Sequence, residues 1–166
     1  AGDKSPAQVQ PAPILEQMKR IEGWLEEDEG ELLLTAAARA ITSLPSGSAV
    51  VEVGSFCGRA TVVLAGVVKA LGAESLVYAI DPHDGRVGAL DQGLKFTRPT
   101  LDIFQRNMHE NGLNALVRTV HSDSANVAWD RPIAMLLIDG LHDYPSVAGD
   151  FYRFEKWLLP GGSVAF

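Results

Sequence analysis

The sequence predicts an α/β fold: a doubly wound parallel sheet with helices on both faces, preceded by two leading helices. Three observations predict it. From Ala49 onward, five short apolar runs alternate with stretches of helical periodicity, and sustained strand-helix alternation means parallel strands joined by crossover helices. A glycine-bounded turn, Gly54-Ser-Phe-Cys-Gly58, separates the first apolar run from the helical stretch after it. Two of the runs end in an acid, Asp81 and Asp139, at the edge where open parallel sheets bind their ligands.

Taken in order, Ala1 to Pro13 carries Pro6, Pro11 and Pro13 among small and polar residues and reads as a disordered arm. Ile14, Met18, Ile21 and Leu25 recur at helical spacing, so a helix is expected from Ile14 to Glu27. Leu33, Leu34, Ala37 and Ile41 predict a second from Glu31 to Ser43. The acids Glu26, Glu27, Asp28, Glu29 and Glu31 lie at the join, where carboxylates favour the amino end of a helix. They read as a solvated helix start and not as a metal site.

Ser43 to Ser48, with Pro45 and Gly47, turns into the first strand, Ala49 to Val53. Gly54 lets the chain turn off that strand, and Gly58 is expected to let the next helix pack close to it. That helix runs to Gly72, a stop residue, and Leu76 to Ile80 forms the second strand. Pro82 to Arg98 holds three glycines and little periodicity, and reads as a lid or a plain connection. A helix from Pro99 to Met108 is ended by Asn111 and Gly112, and Leu116 to Val120 is the third strand. Pro132 to Ile138 is the fourth. A helix from Tyr144 to Leu158 carries Val147, Phe151, Phe154 and Leu158 on one face and is broken by Leu159-Pro-Gly-Gly162 before a fifth run, Ser163 to Phe166.

The turn after the first strand narrows the choice of ligand. A dinucleotide fingerprint needs glycine two residues after the first, where backbone approaches a pyrophosphate. Phe56 stands there instead. Glu52, two residues before the turn, disfavours phosphate and favours a cation, so the loop suits a positively charged nucleoside. The two oxygens of Asp81 can accept both hydroxyls of a ribose beside the turn. His121, Ser122, Asp123 and Ser124 follow the third strand, where polar groups can either meet the edge of an adenine or cap a helix. Asp139 reaches the same edge as Glu52 and Asp81, with His142 three residues on. A carboxylate there can bind a hard cation, and a histidine can take a proton from a hydroxyl near neutral pH. His83, His109 and His121 read as structural or exposed.

Composition sets the limits. With 166 residues, 46% of them hydrophobic, the chain suits one domain with a sizeable core. A net charge of -7 argues against a broad nucleic-acid surface. The single cysteine, Cys57, excludes an internal disulfide and fits a reducing compartment. No apolar run approaches the ~20 residues of a membrane span, and no basic-then-apolar leader precedes the first helix. The expectation is a soluble cytoplasmic protein with a small-molecule partner, leaving a homo-oligomer open.

The ordered set Glu52-Val-Gly-Ser-Phe-Cys-Gly-Arg-Ala-Thr61, Asp81, Asp139 and Leu159-Pro-Gly-Gly resembles the class I S-adenosylmethionine-dependent methyltransferases. The segment Ile138-Asp-Gly-Leu-His-Asp-Tyr144 resembles their small-molecule O-methyltransferase branch, of catechol and macrolide-sugar type. The resemblance covers about Gly30 to Phe166. It implies a Rossmann-like sheet, with residues 14–166 as the cofactor-binding domain. It further implies that Glu52, Gly54, Ser55, Phe56, Gly58 and Thr61 surround the methionine end of S-adenosylmethionine, that Asp81 holds the ribose, and that Asp123 and Ser124 hold the adenine. It implies that Asp139 lies at the cofactor and ligates Mg2+, and that His142 is the general base acting on a small-molecule hydroxyl acceptor. Such folds run to seven strands, so the last strands and further metal ligands are expected beyond Phe166. Two other readings stand beside this one: an oxidoreductase binding NAD, and a non-catalytic cofactor-binding module.

Overall fold

Five parallel strands form one sheet in the order β3-β2-β1-β4-β5. They are β1 (Ala49–Val53), β2 (Val77–Asp81), β3 (Val117–His121), β4 (Ile133–Ile138) and β5 (Leu158–Ala165). The helices are α1 (Pro11–Lys19), α2 (Glu27–Ser43), α3 (Arg59–Leu71), α4 (Leu101–Glu110) and α5 (Tyr144–Phe154). The structure, a computed structural model, describes residues 9–86 and 98–166. The expected lid or connection from Pro82 to Arg98 and the start of the expected arm therefore lie largely outside the described residues.

The sheet is buried on both faces, as parallel sheets are. Val50 points to the side covered by α1, α2 and α3, where Met18, Leu33, Val63 and Leu64 pack with it. Val51 and Val53 point to the other side and meet Ile80, Leu136, Ile138 and Phe154. Alternation along a strand places Glu52 on the Val50 side, among apolar neighbours. All five residues of β1 and all six of β4 are buried. The order of strands reverses between β1 and β4, so their carboxyl ends open the crevice in which such sheets hold ligands.

Several boundaries differ from the expectation. The first helix begins at Pro11, inside the expected arm, because a first helical turn needs no backbone N–H and tolerates proline. It ends at Lys19 and not at Glu27. The second helix starts early, since the Glu29 carboxylate accepts the Glu26 N–H at 2.9 Å and fixes its first turn. The acidic stretch is thus the helix start the sequence predicts. On β5, Leu158 pairs with Ile133 and Ser163 with Met135, so Leu159 to Gly162 is absorbed as a bulge within the strand. Among the described residues, no helix is long and apolar enough to cross a membrane.

Candidate functional site

The site is built around the turn that leaves β1. Gly54 adopts a φ of +89°, and a Cβ there would stand 2.4 Å from the carbonyl oxygen of Asp139. No side chain can occupy that space. The Gly54 N–H donates to the Ile80 carbonyl and the Asp139 N–H to the Val53 carbonyl, both at 2.8 Å, which ties the ends of β2, β1 and β4 together. Gly58, with φ of +92°, closes the turn through its N–H on the Ser55 carbonyl at 2.7 Å. A Cβ on Gly58 would meet Met108 Cε at 2.6 Å. The expected reason for this glycine, close packing of helix on strand, is corrected: the contact it spares is with α4.

Phe56 holds a left-handed φ of +46°, unusual for a non-glycine residue. Its N–H donates to Asp81 Oδ2 at 2.8 Å, and its ring lies 4.9 Å from that of Trp24. The other oxygen of Asp81 accepts the His83 N–H at 2.6 Å. Both oxygens expected to take ribose hydroxyls are therefore engaged by backbone, and Asp81 is only 2% exposed. Asp81 fixes the turn. His83 is also buried at a φ of +50°, with Nδ1 2.9 Å from the Thr100 hydroxyl, and burial holds its imidazole below its ordinary pKa. Its Nε2 is buried without a hydrogen-bond partner.

Glu52 is fully buried. The Thr61 hydroxyl donates to Oε2 at 2.5 Å, while Oε1 has no hydrogen-bond partner. Burial pushes the carboxyl up to about 8, and the nearby charges of Asp139 and Asp81 act in the same direction. The expected standing negative charge is therefore corrected: at neutral pH the free protein keeps Glu52 mostly protonated. Ser55 Oγ is likewise buried without a partner.

These groups border a cavity of about 1050 Å³. Glu52, Gly54, Ser55, Phe56, Asp139 and His142 are among the residues that line it. Trp24, Leu25, Leu32 and Leu33, from the second leading helix and the link before it, line it as well. Helical spacing in the sequence picks out Leu25 and Leu33, on separate expected helices, but neither Trp24 nor Leu32, and it says nothing of what they cover. His142 Nε2 lies 3.6 Å from Asp139 Oδ1, and the imidazole is well exposed, at 63%. A second cavity of about 310 Å³ shares Gly54 and Gly140 with the first and is lined by Asp123 and Ser124. There Ser124 donates to Asp150 Oδ1 at 2.5 Å, and burial raises the Asp150 carboxyl above its ordinary pKa. The sequence places Asp150 away from the apolar face of its helix, with no sign of a partner.

Gly58, Thr61 and Asp81 line neither cavity. Gly58 shapes the turn, Thr61 holds Glu52, and Asp81 anchors Phe56. The expected role of Asp139 as a magnesium ligand lacks a donor set. Among the described residues, no group of three His, Cys, Asp or Glu side chains stands together to hold an ion, whereas Mg2+ takes near-octahedral oxygen coordination.

The family model described as a methyltransferase domain matches residues 51–166. The fold superposes on the O-methyltransferase NovP with a TM-score of 0.70 at 20% identity, over 86% of this chain and 66% of that one. It superposes on a SAM-dependent methyltransferase from Thiobacillus denitrificans in complex with S-adenosyl-L-homocysteine with a TM-score of 0.54 at 18% identity, over 92% and 52% of the two chains. The CcbJ methyltransferase from Streptomyces caelestis gives 0.54 at 18% identity, over 87% and 56%. These likenesses are of fold, and the chain spans between 52% and 66% of the length of the three. The family match begins within the first strand, runs to Phe166 and covers more than half of the chain, so this chain belongs to the methyltransferase-domain family.

Proposed function

We propose that the chain binds S-adenosylmethionine along the carboxyl edge of its sheet and directs the methyl group to a hydroxyl oxygen of a small molecule. One observation carries this reading. Glu52 Oε1 and Ser55 Oγ are buried without partners in the wall of a large cavity that meets a second at Gly54 and Gly140. An unmatched buried polar atom costs about 1–3 kcal/mol, so two of them at one cavity wall favour a polar ligand there. Family membership supports the ligand's class, as do the relative in complex with S-adenosyl-L-homocysteine and the relative named as an O-methyltransferase.

The residues fit the cofactor. Asp123 and Ser124, in the smaller cavity, would hold the adenine, and Glu52 and Ser55 the amino-acid end. When bound, the cofactor supplies a methyl group on a cationic sulfur, an electrophile that needs little further activation. What remains for the chain is alignment and deprotonation. The His142 imidazole takes the proton of the acceptor hydroxyl, and the Asp139 carboxylate beside it stabilises the imidazolium that forms. Among the described residues the donor set does not fit a metal ion, so deprotonation rests on His142 and Asp139.

Calorimetric titration with S-adenosylhomocysteine tests the cofactor reading. One site per chain is expected, weakened about tenfold or more by Glu52→Gln through loss of a charge-assisted contact; heats no larger than dilution would overturn it. His142→Ala is expected to leave that affinity intact and slow methyl transfer by about 10²–10⁴-fold. A variant that keeps its transfer rate would remove the base assignment.

A further inference from the structure

Arg59 opens α3 directly after the glycine turn, yet its guanidinium reaches back to the link between the two leading helices. Nε donates to the Leu25 carbonyl at 2.7 Å and Nη1 to the Ile21 carbonyl at 2.9 Å. The link crosses the arginine stem at contact distance, since a Cβ on Gly23 would lie 3.0 Å from both Arg59 Cβ and Cδ. Two further fastenings hold the same segment. Trp24 packs on Phe56, and Glu22 pairs with Arg98. Glu22, Gly23, Trp24 and Leu25 line the large cavity together with Arg59 and with Gly54, Ser55 and Phe56.

We infer that Arg59 is a positioning residue that latches Ile21–Leu25 as a strap across the large cavity, so that ligand held over the glycine turn leaves only when the latch opens. This rests on the cofactor reading above. A forked arginine is suited to the task because it spans two carbonyls four residues apart in a fixed plane, which a lysine ammonium cannot do. Two of the strap's three anchors, Phe56 and Arg59, lie within the glycine turn and directly after it. Ligand seated on the turn therefore bears on Trp24 through the Phe56 ring.

Stopped-flow displacement of S-adenosylhomocysteine tests the latch. Arg59→Lys keeps the charge and loses the fork, and Trp24→Leu loosens the strap without touching α3. Both are expected to raise the dissociation rate about tenfold, the scale of one charge-assisted hydrogen bond, while association stays within about twofold. In a background with Trp129→Phe and Trp157→Phe, Trp24 is the remaining tryptophan. Its emission should shift on binding, and the shift should be lost with Arg59→Lys. Unchanged dissociation in both variants, or Trp24 emission indifferent to the ligand, would overturn the latch while leaving the cofactor reading intact. Absence of binding to the unsubstituted protein would overturn the cofactor reading and the strap with it.

Discussion

Glu52 shows how one buried carboxyl couples binding, stability and pH. Its folded pKa of about 8 stands above the ordinary 4.5 because burial penalises the charge. Across that window the folded state binds the extra proton. Its contribution to stability is therefore complete below about pH 4.5 and is lost as pH rises through about 8. Urea midpoints measured across that window should fall with pH, and Glu52→Gln should flatten the curve. A cationic ligand at Oε1 draws the proton off, so cofactor affinity is expected to rise toward about pH 8. Titrations in buffers of different ionisation enthalpy should register the released proton. Asp81 makes a second case at this scale. Asp81→Asn turns one acceptor into a donor facing a backbone N–H, at a cost of about 1–3 kcal/mol by denaturant titration, with weaker cofactor binding through the loosened Phe56. The sequence shows that acids end these strands. It does not show which oxygens the backbone has already claimed, because Phe56 and His83 reach Asp81 only through left-handed conformations that no local pattern announces.

At the scale of elements, the turn after β1 is rigid for reasons that can be ranked. Gly54→Ala would drive a methyl group into the Asp139 carbonyl and strain a positive φ, and a loss of more than about 3 kcal/mol or failure to fold is expected. Gly58→Ala meets the flexible end of Met108 and, at 3.1 Å, the buried Phe104 ring, but no backbone, so the loss should be smaller than at Gly54, about 1–3 kcal/mol. Equal losses in the two variants, read from thermal and urea unfolding, would contradict this account of the turn. Strand positions are legible because apolar runs of this kind must be buried on both faces, and β1 begins and ends as the sequence predicts. Helix ends are less so. A carboxylate three residues into α2 moves its start, and the bulge on β5 turns an expected break into paired strand. Both depend on partners rather than on periodicity.

At the scale of the molecule, the sheet presents its carboxyl edge to two cavities joined at Gly54 and Gly140, and the leading helices wall the larger one. The parallel topology and the edge at which function collects follow from strand-helix alternation alone. The wall does not, because helical spacing identifies an apolar face but not the element it covers. On the proposed reading the acceptor's identity lies with that wall, since Trp24, Leu32 and Leu33 line the same cavity as Asp139 and His142. A dinucleotide is disfavoured by the same geometry, because Phe56 occupies the place where a pyrophosphate needs bare backbone.

The central claim is that one cationic nucleoside lies across the joined cavities, with its amino-acid end toward Glu52 and its base toward Ser124. Amide chemical-shift mapping during titration with S-adenosylmethionine tests this most directly. The account predicts saturable shifts concentrated at Gly54, Ser55, Ser124 and Gly140, with Trp24 following. Shifts confined to one cavity, or scattered over surfaces remote from the carboxyl edge, would contradict it.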